Sequence, residues 1–188
     1  MTKARIREEH KGLSYQELLE KAYELGFNYE KNSWSCCQST VAALHEILEI
    51  DDVVVKVAST SAGGQASQGV GTCGGLIGGT IALDYFFGRP VENMSYKEWK
   101  KANTDMVMEA TAVAKLLYDK YVEEYGTIIC PHIVVQRFGR HYYFFDPNEM
   151  EQFEKDGGHS GPDKCCHVVG TAAKWVMEIL HDKGLLEV

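Results

Sequence analysis

Six cysteines give this 188-residue chain its clearest capacity for chemistry. Thiols can ligate a metal, carry out redox exchange or form disulfides, and in a reducing compartment the first two uses prevail. No Cys-x-x-Cys spacing occurs, which excludes a thioredoxin motif, a zinc ribbon and a local ferredoxin run. Any shared site must therefore be assembled by the fold from distant positions. The six candidate metal ligands are Cys36, Cys37, Cys73, Cys130, Cys165 and Cys166.

Four of these cysteines fall in the first turns of predicted helices. Cys36 and Cys37 open one helix, and Cys165 and Cys166 open another. Free amide groups and the positive end of the helix dipole stabilise a thiolate at such positions. At 100° per residue, Cys165 lies at the centre of its helix's apolar face and Cys166 at the edge. We therefore expect Cys165 to be the inward residue of that pair.

Cys73 belongs to a glycine-rich stretch, residues 63–79, that has eight glycines in 17 positions. The stretch lacks the Gly-Lys-Ser/Thr of a P-loop and the acidic residue of a dinucleotide fingerprint, so close helix packing is the favoured interpretation. Gly74 and Gly75 follow the cysteine directly and are candidate cofactor contacts. Glycines four residues apart would form a strip that lets another cysteine-bearing element approach. This strip consists of Gly71, Gly75 and Gly79.

The elements that must position these thiols are mostly helical. Ser14 with Glu17, and Ser95 with Glu98, form capping-box patterns at two predicted helix starts. Residues 128–145 combine β-branched and aromatic runs around a Gly-Arg pair, which favours a short β-hairpin, and residues 53–57 fit either a strand or a helical turn. The sequence thus predicts one mainly α domain over residues 1–188, with about five helices and that hairpin. The helices are predicted over 14–25, 35–48, about 73–87, 95–125 and 163–180.

Composition and charge restrict the partners. The net charge is −8, which argues against nucleic acid and against anionic membrane surfaces. No apolar stretch approaches the roughly 18 residues of a transmembrane helix, so no membrane insertion is expected. The first ten residues carry charges where a signal peptide would have its apolar core. A cytoplasmic location is the resulting expectation.

The cysteine segments together resemble a family of redox-active proteins named for the pattern Cys, Cys-Gly-Ala-x-x-Gly, Cys, Cys. Ser35-Cys36-Cys37-Gln38 is similar to the family's Asn-Cys-x-Gln helix start, and the run from Cys73 to Gly79 is similar to its glycine motif, with Gly75 in place of the usual Ala. The third cysteine follows an aromatic-Gly pair at residues 125–126, and the fourth opens a helix. The resemblance covers about residues 15–182.

The resemblance implies a helical domain with four cysteines gathered in space, found mostly in anaerobic prokaryotes. A related module occurs in split-Soret cytochromes, where an iron–sulfur cluster has been proposed. This chain departs from the family in two ways. Cys37 and Cys166 double two of the four positions, and residues 136–162 form a longer connection than is usual.

Three functions remain open at this point. The first is an iron–sulfur cluster held by four converging cysteines for electron transfer with an unidentified redox partner protein. The second is a thiol–disulfide oxidoreductase, in which one cysteine of each adjacent pair bonds to a distant one. The third is a module with structural zinc or with no metal at all. His132 and His167 adjoin cysteines and could replace a thiolate, and a homodimer is left open.

Overall fold

A computed structural model describes residues 3–187 and shows a mainly α fold, as the sequence predicts. Residues 1, 2 and 188, which the single-domain prediction includes, lie outside this range. Two short strands, β1 (Ala4–Arg5) and β2 (Leu186–Glu187), pair in parallel and bring the ends of the described chain together. Eight α-helices are formed in this range, three more than expected: α1 (Tyr15–Ser33), α2 (Cys36–Ile47), α3 (Asp52–Val57), α4 (Gly74–Phe87), α5 (Lys101–Tyr125), α6 (Cys130–Phe138), α7 (Pro147–Lys155) and α8 (Cys165–Asp182).

The main core lies between α1, α2, α4 and α8, with α5 packed across α4 and α8. Its side chains include Leu18, Leu44 and Val176, all fully buried. Helices α1 and α8 cross very closely at Gly26 and Gly170. A Cβ added at Gly26 would lie only 2.9 Å from the Cα of Gly170. None of the helices in residues 3–187 is long and apolar enough to cross a membrane.

Local signals account for several helix ends. Ser14 and Glu17 form the predicted capping box of α1, with the Ser14 amide donating to the Glu17 carboxylate at 2.8 Å. Gly126 ends α5 in the left-handed conformation at φ +66°. The predicted start of α5 at Ser95 is wrong. The Ser95 hydroxyl accepts from nearby amides and closes a local turn, and the helix begins six residues later at Lys101.

The predicted hairpin over residues 128–145 is also wrong. The stretch contains α6, which starts with Pro131 in its first turn and ends at Gly139 with φ +76°. Ile133 and Val134 are buried while Val135 is 44% exposed, the spacing of a helix with one face in the core. Asp146-Pro147 begins α7 instead of ending a strand, because the Asp146 carboxylate accepts from two amides of that helix. Residues 53–57 lie within a helix, α3.

A second, smaller core holds α6 and α7. Tyr142 and Phe153 are almost fully buried at its centre, and Phe138 and Phe144 pack against them with ring centroids 5.1–5.6 Å apart. The Tyr142 hydroxyl donates to Asp156 at 2.6 Å, which anchors the irregular chain between the two helices. Residues of this second core and of the starts of α2, α4 and α8 line one cavity, and Cys165 at the start of α8 packs against the second core.

Candidate functional site

The cavity has a volume of about 510 Å³ and is lined mainly by apolar side chains. Four of the six cysteines line it, namely Cys36, Cys73, Cys130 and Cys165. Cys37 and Cys166 are fully buried in the protein outside this lining. One thiol of each adjacent pair therefore faces the cavity. The helical projection predicts that Cys165 is the inward residue of its pair. Cys165 does line the cavity, but Cys166 is the more deeply buried of the two.

Each cavity cysteine stands at the start of a helix. Cys36, Cys130 and Cys165 are the first residues of α2, α6 and α8, and Cys73 is the N-cap of α4. The turn from α1 into α2 is unusual, since Trp34 and Ser35 both have positive φ near 60°. The Ser35 hydroxyl donates to the Ser59 carbonyl at 2.7 Å and fixes this turn. Four segments far apart in sequence thus deliver one thiol each.

A short antiparallel bridge joins two of these segments. The amide of Cys73 donates to the carbonyl of Ile128 at 2.8 Å, and the amide of Cys130 donates to the carbonyl of Gly71 at 2.9 Å. The backbone therefore fixes the third cysteine beside the second, although 57 residues separate them.

Glycines at the start of α4 allow α2 to approach. A Cβ added at Gly74 would lie 2.1 Å from the Sγ of Cys36, and one at Gly78 would lie 2.3 Å from the carbonyl oxygen of Cys37. The predicted strip is confirmed in part. Gly75 and Gly79 lie against Ala172 and Val176 of α8, a cysteine-bearing helix, and against Tyr121 and Leu117 of α5. Gly71 precedes the helix and is not part of the strip. Both candidate cofactor contacts adjoin a cavity thiol: Gly74 lies against that of Cys36, and the amide of Gly75 donates a hydrogen bond to that of Cys73.

Burial controls the protonation of the thiols. It raises the pKa of Cys130 to about 12, raises that of Cys73, and raises those of Cys36 and Cys165 well above the usual value. Backbone hydrogen bonds at Cys73, from Gly75 and Leu76, act in the opposite direction but are outweighed. The expected stabilisation of a thiolate at the helix starts is therefore overridden, and the metal-free thiols are protonated at neutral pH.

The thiols surround the cavity without closing on one point. Within residues 3–187, no three His, Cys, Asp or Glu side chains are close enough together to hold one metal ion. The two histidines named above lie elsewhere: the Nδ1 of His167 is 2.9 Å from the hydroxyl of Tyr23, and the Nδ1 of His132 is 3.3 Å from that of Thr127. Neither lines the cavity.

The cavity also contains a carboxyl group that the sequence analysis missed. Glu30 of α1 is 3% exposed, and its Oε2 has no hydrogen-bond partner. Burial raises its pKa to about 7; a hydrogen bond with Ser39 opposes this in part, and the charge of Glu154 acts with burial. His159 places Nε2 3.7 Å from the Glu30 Oε1, contacts Glu154 through Nδ1, and stacks on Trp34 at 4.7 Å.

A tyrosine lies behind the second cysteine. The hydroxyl of Tyr121 is 3.9 Å from the Sγ of Cys73, and its ring packs against Tyr125 and Trp175 with centroids 5.3 and 5.5 Å away. Tyr121 is fully buried, which raises its pKa well above the usual value. It therefore acts as a neutral hydrogen-bond partner of the thiol.

Fold and cavity together define a class: a helical protein whose cysteines converge from four helix starts on one internal space. The family model described as "Putative redox-active protein (C_GCAxxG_C_C)" matches residues 34–179, well over half of the chain. The chain belongs to this family. Comparisons with curated proteins and with solved structures gave no match.

Proposed function

We propose that this protein is an electron-transfer protein that binds an iron–sulfur cluster through Cys36, Cys73, Cys130 and Cys165. The observation that carries the proposal is that four thiols, each from a different helix start, line a single cavity. Iron–sulfur clusters in proteins are most often held by four cysteine thiolates. An electron donor or acceptor protein of unknown identity completes the proposal.

The donor set fits such a group better than it fits a single ion. Zinc in a four-cysteine site lies about 2.3 Å from every sulfur, so its ligands must meet at one point. The cavity thiols do not meet in that way in the described residues, and they line a shared cavity instead. A cluster of several irons spaces its thiolates more widely. Gly74 leaves room for Cys36 beside the start of α4, where a Cβ would collide with the sulfur.

The surroundings of the thiols also suit a buried redox centre. When bound, an iron–sulfur cluster supplies a store for one electron at a time. The protein contributes amide donors near sulfur, such as those of Gly75 and Leu76 at Cys73, and these tune a cluster's potential. The Tyr121 hydroxyl adds a further donor to the same sulfur.

Thiol–disulfide exchange has less support. Its attacking group is a thiolate, and reactive cysteines have lowered pKa values. All six cysteines here have raised pKa values, chiefly because they are buried. A bound metal cation would overcome this cost, because it deprotonates the thiols that ligate it.

The test is purification without oxygen, followed by the visible spectrum and the iron and acid-labile sulfide content. We expect a brown protein that contains both. The adjacent cysteines provide matched controls: Cys36→Ser and Cys165→Ser should lose most of the iron, whereas Cys37→Ser and Cys166→Ser should retain it. A colourless protein with stoichiometric zinc, or one with no metal, would overturn the proposal. Iron loss confined to the Cys37 and Cys166 variants would overturn the ligand assignment.

A further inference from the structure

The cavity extends beyond the cysteines to an aromatic side. There it is lined by a group of side chains that we call the aromatic wall: Phe144, Phe145, Met150 and Phe153. Trp34 adds a half-exposed indole ring at the rim. A volume of about 510 Å³ lies within the range of small-molecule sites in proteins, roughly 300–1,000 Å³. Such sites are mostly apolar and contain a few convergent polar groups, which is also the composition found here.

Glu30 is the first of these polar groups. A buried carboxyl with an unpartnered oxygen is costly, and buried polar groups in folded proteins are almost always hydrogen-bonded. Oε2 has no partner within the described residues, and the group lines the cavity. Its titratable neighbours besides the thiols are His159 and Glu154, so no cation among these groups compensates for it. The position favours a ligand that can donate a hydrogen bond.

His159 is the second polar group. Its Nδ1 contacts the Glu154 carboxylate, which can only accept, so this nitrogen carries the ring proton. The Nε2 atom of the neutral ring is then an acceptor, and it lies 3.7 Å from the Glu30 Oε1. Stacking on Trp34 and contact with Phe153 hold the imidazole in place. Two neighbouring acceptors therefore line the same part of the cavity.

We propose that the aromatic side of the cavity binds a small dihydroxy-aromatic compound of the hydroquinone class, with the proton of one hydroxyl shared between Glu30 and His159 in a bifurcated hydrogen bond and the ring packed against the aromatic wall. Aromatic rings favour offset-stacked or edge-to-face contacts with other rings, which Phe144 and Phe145 can supply. Two acceptors select a hydroxyl over an ether or carbonyl oxygen, which would leave the buried acceptors unpaired. This inference deepens the proposed function, because it names the small molecule that the redox centre would meet.

The test is isothermal titration calorimetry under argon with two probes, hydroquinone and 1,4-dimethoxybenzene, which has the same ring but no donor. We expect the wild-type protein to bind hydroquinone at least tenfold more tightly. Glu30→Gln should weaken hydroquinone binding at least tenfold, since it removes an acceptor that can be charged. Glu20→Gln, an exposed position on the same helix, should leave binding unchanged. His159→Gln provides a second variant if the Glu30 variant does not fold.

Three results would overturn the inference: no hydroquinone binding, equal binding of the two probes, or unchanged binding in both the Glu30 and His159 variants. Iron and sulfide are measured in the same samples. Selective hydroquinone binding by a protein that never carries iron would overturn the proposed function and leave this inference standing. An iron-loaded protein that binds neither probe would overturn this inference and leave the proposed function standing.

Discussion

The two sides of the cavity are built in different ways. On one side, the starts of α2, α4 and α8 present three thiols, and the backbones of α2 and α4 touch through Gly74 and Gly78. On the other side, two nine-residue helices, α6 and α7, rest on a separate cluster of aromatic rings. On the first side, backbone contacts fix the positions of the thiols. On the second side, aromatic side chains determine the shape of the cavity. Side chains adjust more readily than touching backbones, so the cysteine side is the part suited to holding a centre and the aromatic side the part suited to admitting a ligand.

The largest expected effect on stability comes from replacing one buried phenylalanine with alanine, in the main core and, separately, in the second core. Phe86 and Phe153 are both 2% exposed, one in the main core and one in the second. Replacing either with Ala should cost about 3–5 kcal/mol of local stability. We expect Phe86→Ala to lower the free energy of global unfolding, and Phe153→Ala to speed amide hydrogen exchange mainly in α6 and α7. Urea denaturation measures the effect on global unfolding, and hydrogen exchange measured by mass spectrometry shows whether the loss of protection is confined to α6 and α7.

The two-core comparison fails if Phe153→Ala accelerates exchange in α1 and α8 as much as in α6 and α7. The molecule would then unfold as a single cooperative unit, and the aromatic side could not move independently.

The next effect concerns Glu30, which joins the two sides. Its pKa is raised from 4.5 in the unfolded reference to about 7, so the folded state binds the proton more tightly. Stability is then fully present below about pH 4.5 and falls as the pH rises through 7. At 1.36 kcal/mol per unit, the loss is about 3 kcal/mol. Glu30→Gln should therefore stabilise the protein by about this amount at pH 8 and by little at pH 5.

Thermal or urea melts of Glu30→Gln and of Glu20→Gln at both pH values provide the measurement. Equal stability of Glu30→Gln and wild type at pH 8 would show that the carboxyl is already compensated, which would also weaken its assignment as a ligand acceptor. If Glu30→Gln is more stable than the wild type but binds hydroquinone more weakly, then Glu30 lowers the stability of the wild-type protein and supports ligand binding.

The smallest expected change in stability tests the backbone contact on the cysteine side. Gly74→Ala places a Cβ 2.1 Å from the Cys36 Sγ and 3.0 Å from the Cys37 nitrogen, so α2 or the thiol must shift. We expect a cost of about 2 kcal/mol and a disproportionate loss of bound iron. Gly79→Ala is the matched control: its Cβ would crowd the Cδ2 of Leu117 at 2.5 Å and the Cγ2 of Val176 at 3.1 Å, on a face of α4 that does not meet Cys36. Iron content that falls equally in both variants would contradict this assignment.

The cysteine side was largely predictable from sequence. Patterns of short range define it: the Ser14 capping box, the apolar faces of α2 and α8, and cysteines at helix starts. Which cysteine of each adjacent pair lines the cavity depends on how its helix is rotated about its axis. The hydrophobic periodicity predicts that rotation only to within about one residue, so it does not separate Cys36 from Cys37 or Cys165 from Cys166. Glycines lie on both faces of α4, so the close approach of α8 at Gly75 and Gly79 was predicted, whereas the contact of α2 with Gly74 and Gly78 was not.

The aromatic side was not predicted. Its β-branched and aromatic runs have high strand propensity, yet burial of Ile133 and Val134 on one face favoured a helix. Pro131 near the start and Gly139 just past the end were the signals that could have identified α6. For Glu30 the signal was its spacing. It lies four residues after Gly26 and eight after Ala22, both buried, so it occupies the inward face of α1.

Burial of the thiols also has a consequence for the chain before it folds. In the unfolded chain each thiol regains a pKa near 8.5 and full access to oxidants. Six cysteines can pair in 15 ways if all are oxidised to disulfides, and a bond between cysteines that the fold keeps apart would block the cavity from forming. Folding itself lowers this hazard, because it buries four of the six free thiols, partly buries the other two, and raises the pKa values of all six. The period of greatest chemical risk for this protein is therefore its synthesis.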